Sequence, residues 1–107
     1  MSVVRISGDN FENEVLSSKI PVLVDFYASW CTPCRMMKPL LEDLSDELIG
    51  EVKVAKVDVM AETELAGDFR ILNVPTMKVF CNGEVTDTLI GATGKEQLLS
   101  ILKSHTV

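Results

Sequence analysis

The chain has 107 residues, 47% of them hydrophobic, and a formal net charge of −6. One domain of that size hides roughly two thirds of its unfolded surface, so a packed core rather than a disulfide framework is expected to hold it. The acidic balance excludes a nucleic-acid footprint, which needs a basic stripe, and the scattered Lys and Arg residues exclude a polybasic membrane patch.

The first ten residues, MSVVRISGDN, hold no basic region leading into an apolar run, so no secretory signal is expected there. No apolar run approaches the roughly 18 residues of a membrane span. The expectation is a soluble, cytoplasmic, single-domain monomer over residues 1–107, with no internal repeat or linker. Val3 to Ile6 reads as a short edge strand. Asp9 is placed to cap a short helix that carries Phe11, Val15 and Leu16 on one face. The near-continuous apolar run Val22 to Ala28 is how a strand covered on both faces reads, the signature of a parallel sheet.

After ASWCTPCR, residues 28–35, a long helical pattern begins. Met37, Leu40, Leu41, Leu44 and Leu48 recur at helical spacing. Pro33 is tolerated in the first turn, whereas Pro39, inside the pattern, is expected to kink it. Val52 to Val59 is a third strand, and Glu62 to Phe69 a short helix with Leu65 and Phe69 inward. Two further strands, Thr76 to Cys81 and Glu84 to Ile90, flank Asn82-Gly83, the strongest short hairpin signal, and are antiparallel. Gly91 breaks the second, and Leu98, Leu99, Ile101 and Leu102 stripe a terminal helix. The order β-α-β-α-β-α-β-β-α specifies an α/β fold, a mixed five-stranded sheet with helices on both faces.

Cys31 and Cys34 then stand at the carboxyl end of a central strand, where sites form in open α/β sheets. In a non-secreted chain with three cysteines, a CxxC pair points to redox or metal chemistry. At or near a helix N-cap, the Cys31 sulfur faces unpaired backbone amides and the positive end of the helix dipole. Both thiols fall on one face of the first turn. Making Cys31 a thiolate at neutral pH takes roughly 2 kcal/mol, of which the dipole provides about 0.3–1, leaving direct hydrogen bonds to supply the rest. Cys34, deeper in the helix, needs help to lose its proton. Asp25, the one carboxyl in a buried apolar strand, is the candidate acceptor, since burial raises a carboxyl's pKa toward a useful range. Lys56, on the neighbouring strand, is placed to modulate it. Trp30, adjacent to Cys31, suits either core packing or a platform for a partner.

Three other readings of the cysteines stand beside this one. A permanent staple closes too short a loop to restrain much chain entropy. Zinc would draw Cys31, Cys34, Cys81 and His105 together, although the second pair lacks any short spacing. Otherwise Cys81 reads as a small residue at a strand end and His105 as solvated. A non-enzymatic binding module would use the same surface with idle thiols.

Over nearly its whole length the chain resembles the thioredoxins. The resemblance is carried by VDFYASWCTPCRMMKP (residues 24–39), AKVDV (55–59), NVPT (73–76), FCNGE (80–84) and IGA (90–92). CxxC alone is moderately specific for that fold, a general association of such motifs. The resemblance implies that Cys31 is the exposed nucleophile, Cys34 the resolving thiol, Asp25 the buried acid and Lys56 the lysine near it. It implies a cis-proline at Pro75 opposite the cysteines, and an apolar contact surface of Trp30, Val74, Pro75 and Gly91. It further implies reduction of protein disulfides without a bound cofactor or metal, recharging by a thioredoxin reductase or equivalent donor, and disulfide-bearing client proteins such as ribonucleotide reductase, peroxiredoxins and methionine sulfoxide reductases. The family usually reads WCGPC; here Thr32 takes the glycine's place, adding a stiff β-branched side chain and a hydroxyl beside Cys31. Family oxidases and isomerases usually carry histidine where Pro33 stands, which places a reductant ahead of a more oxidising, isomerase-like variant.

Overall fold

In the computed structural model, which describes residues 3–106, the chain runs β1 (Val4–Arg5), a π-helical turn (Glu12–Leu16), β2 (Val22–Tyr27), α1 (Thr32–Glu47), β3 (Lys53–Asp58), α2 (Thr63–Asp68), β4 (Thr76–Cys81), β5 (Glu84–Ile90) and α3 (Lys95–Lys103). The element order is the expected one. Met1, Ser2 and Val107, which the single-domain expectation includes, lie outside the described residues.

The strands form one mixed sheet in the order β1-β3-β2-β4-β5. β3 pairs parallel with both β1 and β2, and β4 runs antiparallel to β2 and β5. β2 is therefore central, and its side chains alternate between two covered faces. Leu23 points into a core with Met37, Leu41 and Leu44 of α1 and Leu98 and Leu102 of α3. Val22, Val24 and Phe26 point the other way, into a core with Phe11, Val15 and Leu65. Phe69 closes that second core as expected, its ring 5.4 Å from Phe80 and 5.5 Å from Phe11 between centroids. Both edges are blunted: β1 has two residues, and the β4–β5 pair carries a register irregularity at Val79/Phe80.

One expectation needs correction. Asp9 does not cap the first helical segment, which opens at Phe11 without a side-chain cap bond. Local hydrogen bonds take the chain into the turn instead: the Ser7 amide donates to Asn10 Oδ1 at 2.7 Å, and the Asp9 amide to Ser7 Oγ at 3.3 Å. α1 runs unbroken through Pro39, although proline has no amide to give the preceding turn. Among the described residues, no helix is long and apolar enough to cross a membrane.

The hairpin shows why Asn82-Gly83 was so strong a signal. Asn82 has φ 52° and Gly83 φ 81°, both left-handed, and a Cβ added at Gly83 would lie 3.2 Å from the Leu16 carbonyl oxygen. Gly83→Ala is expected to lower stability by about 1–2 kcal/mol, the cost of a left-handed alanine, with the crowding adding to it. Urea unfolding of the two proteins measures this, and an unchanged midpoint would contradict the turn geometry.

Candidate active site

The loop between β2 and α1 places the cysteines. Cys31 is the N-cap of α1, with extended backbone (φ −89°, ψ 114°), and its sulfur accepts the Cys34 amide at 3.2 Å. Thr32 and Pro33 fill the first two helical positions, where an absent amide costs nothing, and no acidic residue stands in the first turn. The sulfur at position 31 thus receives one of the helix's orphan amides and the positive end of its dipole, with no local carboxylate opposing them. Cys31 and Cys34 are joined as a disulfide, with Cα atoms 5.2 Å apart.

The expected difference in exposure between the two cysteines does not hold in this form: each is 5% exposed. What separates them is their surroundings. The Cys31 sulfur lies 3.7 Å from the Val74 carbonyl oxygen. Cys34 lines a cleft of about 470 Å³ together with Asp25 and Lys56.

That cleft follows from the alternation along β2. Asp25 shares the parity of Leu23 and so faces α1, between Lys56 of β3 and Met77 of β4 in register. It is 3% exposed, and its Oδ1 has no hydrogen-bond partner among the described residues. Burial pushes its pKa up to about 7, against a smaller downward pull from the Lys56 charge. A carboxyl that exchanges a proton near neutral pH, in the same cleft as the second thiol, is suited to acid–base work.

The remaining sequence-derived residues gather on the outer side. The Val74–Pro75 bond is cis, and the Gly91 amide donates to the Pro75 carbonyl at 2.8 Å. Gly91 has φ 91°, a left-handed backbone that glycine adopts without strain. Val74 packs beside Cys31 and Cys34, and Trp30 is 65% exposed, which favours a contact platform over core packing. Leu72 and Ile90, flanking Val74 and Gly91, are also exposed apolar residues that the sequence reading did not single out. Their chain positions, two residues before Val74 and one before Gly91, were the available signal. Arg35, which bonds to Ser29 and Thr32, was missed as well, though the i, i+3 spacing to Thr32 marks such pairs.

Cys81 and His105 lie elsewhere. They line a separate cleft with Lys19 and Pro21, at the end of β2 opposite the CxxC loop, so the four suggested zinc ligands are not brought together. Among the described residues, no three His, Cys, Asp or Glu side chains are grouped to hold a metal ion. His105 is not simply solvated: its Nε2 lies 2.6 Å from Asp87 Oδ1.

With this geometry in view, the family comparisons are specific. The family model described as Thioredoxin matches residues 2–104. The chain is 38% identical over 105 residues to a thioredoxin of Pyropia yezoensis, covering 98% of each chain. It is 40% identical over 101 residues to a thioredoxin of Rickettsia bellii, covering 94% of this chain and 96% of the relative. To thioredoxin C-2 of Corynebacterium nephridii it is 40% identical over 104 residues, covering 97% and 96%. A CxxC disulfide at a helix N-cap, on a five-stranded mixed sheet, agrees with these matches along nearly the whole chain: the protein is a thiol–disulfide oxidoreductase that reduces protein disulfides, and it belongs to the thioredoxin family.

Proposed function

We propose that reduction runs through Cys31 as attacking thiol, Cys34 as resolving thiol and Asp25 as proton acceptor, in a cytoplasmic monomer that needs no bound cofactor or metal. The supporting observation is the Cys34 amide at 3.2 Å from the Cys31 sulfur, because a donor aimed at that atom favours its anionic form. In the reduced protein the Cys31 thiolate attacks one sulfur of a client disulfide. The client S–S bond breaks, a Cys31–client disulfide forms, and the departing client sulfur leaves as a thiolate that takes a proton from solvent. Cys34 then gives its proton to the Asp25 carboxylate, and its thiolate attacks the Cys31 sulfur. The mixed disulfide breaks, the second client sulfur leaves as a thiolate, and the Cys31–Cys34 disulfide remains. Two electrons have passed to the client.

Lys56 acts through Asp25, its charge favouring the carboxylate that accepts the proton. Trp30, Val74, Pro75 and Gly91 form the surface on which a client segment rests, with the Val74 backbone beside the exchanging sulfur. Family membership implies disulfide-bearing clients and a reductase in general. We assign the recharging step to a dithiol reductase that returns two electrons by the reverse exchange, which gives the protein a place in cellular electron transport and redox homeostasis.

The test is insulin-disulfide reduction with dithiothreitol as electron donor. Catalytic amounts of the protein are expected to accelerate precipitation of the reduced chains well above dithiothreitol alone. Absence of acceleration would leave a binding module with idle thiols as the better reading.

A further inference from the structure

Thr32 and Arg35 are tied together across the redox loop. The Arg35 guanidinium donates from Nη1 to the Ser29 carbonyl at 2.7 Å and from Nη2 to the Thr32 hydroxyl at 3.3 Å. The two acceptors stand on either side of Cys31 in the chain, so the fork spans the segment that carries the sulfur. The Arg35 backbone amide closes the same segment by donating to the Cys31 carbonyl at 3.1 Å. A guanidinium is planar and permanently charged, and two anchors fix both its position and its orientation where one would leave it free to swing. With no acidic residue in the first turn of α1, no side chain there cancels the charge.

We propose that Thr32 and Arg35 are a positioning pair for thiol exchange: the Thr32 hydroxyl holds the Arg35 guanidinium against the Ser29–Thr32 loop, and the held cation raises the share of Cys31 present as thiolate. This deepens the proposed function and rests on Cys31 being the attacking thiol. A glycine at position 32 offers no hydroxyl, and the guanidinium would keep Ser29 as its side-chain anchor. The threonine that departs from the usual WCGPC pattern therefore has a structural consequence, which is the second tether on Arg35. Other charged and titratable groups border the cleft that Arg35 also lines: Asp25 and Tyr27 from β2, Lys56 from β3, and Lys38 and Glu42 from α1. Of the cations among them, Lys56 pulls the Asp25 pKa down, whereas the side-chain bonds of Arg35 go to the loop.

The experiment follows alkylation of Cys31 by iodoacetamide against pH in the reduced full-length protein, and the equilibrium of each variant with glutathione. Thr32 and Arg35 are both exposed, so their variants are expected to fold. In Arg35→Met the thiolate-to-thiol ratio at the wild-type midpoint is expected to fall roughly two- to fivefold, the range that an exposed charge interaction commands. Thr32→Val is expected to move the profile in the same direction by less, and Thr32→Ser to restore it. The glutathione equilibrium should shift toward the protein disulfide in the same order, and added salt should shrink the differences. In the double variant Thr32→Val/Arg35→Met, the valine should have no further effect, because the hydroxyl acts through the guanidinium. A Thr32→Val profile that overlays Thr32→Ser, or a valine effect that persists in full without Arg35, would overturn the pair while leaving the exchange mechanism standing. A wild-type Cys31 that titrates as a free thiol would instead remove the mechanism on which the pair depends.

Discussion

Serine at position 31 will abolish insulin-disulfide reduction, lowering the rate by roughly three orders of magnitude or more, the scale seen when a covalent nucleophile is removed. The hydroxyl fits the N-cap at least as well as sulfur does and can accept the same Cys34 amide, so the helix should form normally. What the variant loses is the anion: a serine hydroxyl does not ionise near neutral pH. Cys34→Ser makes the complementary case. Attack by Cys31 proceeds, the displacement that frees the client does not, and a covalent Cys31–client disulfide should accumulate to one equivalent, visible as a band shift that dithiothreitol reverses. Turnover retained in Cys31→Ser, or a Cys34→Ser protein that captures no client, would reverse or abolish the assigned order of attack.

The sheet and its helices were legible because each strand leaves a local mark. The near-continuous apolar run Val22 to Ala28 requires cover on both faces, and the structure supplies it with α1 and α3 on one side and α2 and the π-helical turn on the other. Asp25 was legible for the same reason, since a lone carboxyl in such a run has to be buried. Its neighbours were harder to read. That Asp25 lies level with Lys56 and Met77 is set by pairing register between strands far apart in sequence, which no local period encodes. The Asp87–His105 contact joins β5 to the segment after α3 across 18 positions and left no trace in either stretch. Asp9 failed as a cap because the Phe11 amide, one that such a cap would take, donates to the Ser7 carbonyl at 3.0 Å instead, a choice set by backbone angles that residue type alone does not fix. The near-equal burial of the two cysteines was hidden because the N-cap position fixes which backbone groups the Cys31 sulfur meets, while its cover comes partly from Val74, a residue 43 positions away.

Asp25→Asn should separate the two chemical steps and stabilise the protein at the same time. In the wild type, a carboxyl with its pKa pushed up to about 7 is divided between its two forms at neutral pH, and the charged fraction can take the Cys34 proton. An amide cannot. Release of the mixed disulfide should slow by about a hundredfold, the lower end of what a positioned base contributes, while formation of the mixed disulfide changes little; rapid-quench trapping distinguishes the two. Equal slowing of both steps would count against Asp25 as the acceptor. The stability effect has a fixed sign. Because the folded-state pKa lies above the ordinary value of 3.8, the folded protein binds the extra proton between those limits, and wild-type stability falls as pH rises from about 4 to about 7 before levelling. The interval corresponds to about 4 kcal/mol at about 1.36 kcal/mol per pH unit. The amide introduced by Asp25→Asn does not titrate, so urea unfolding of the variant should lack this decline, and its stability relative to wild type should rise across that interval. A wild-type stability that climbs with pH over the same range would mean that Asp25 is held as a charged, satisfied carboxylate, and the proton transfer assigned to it would have no physical basis.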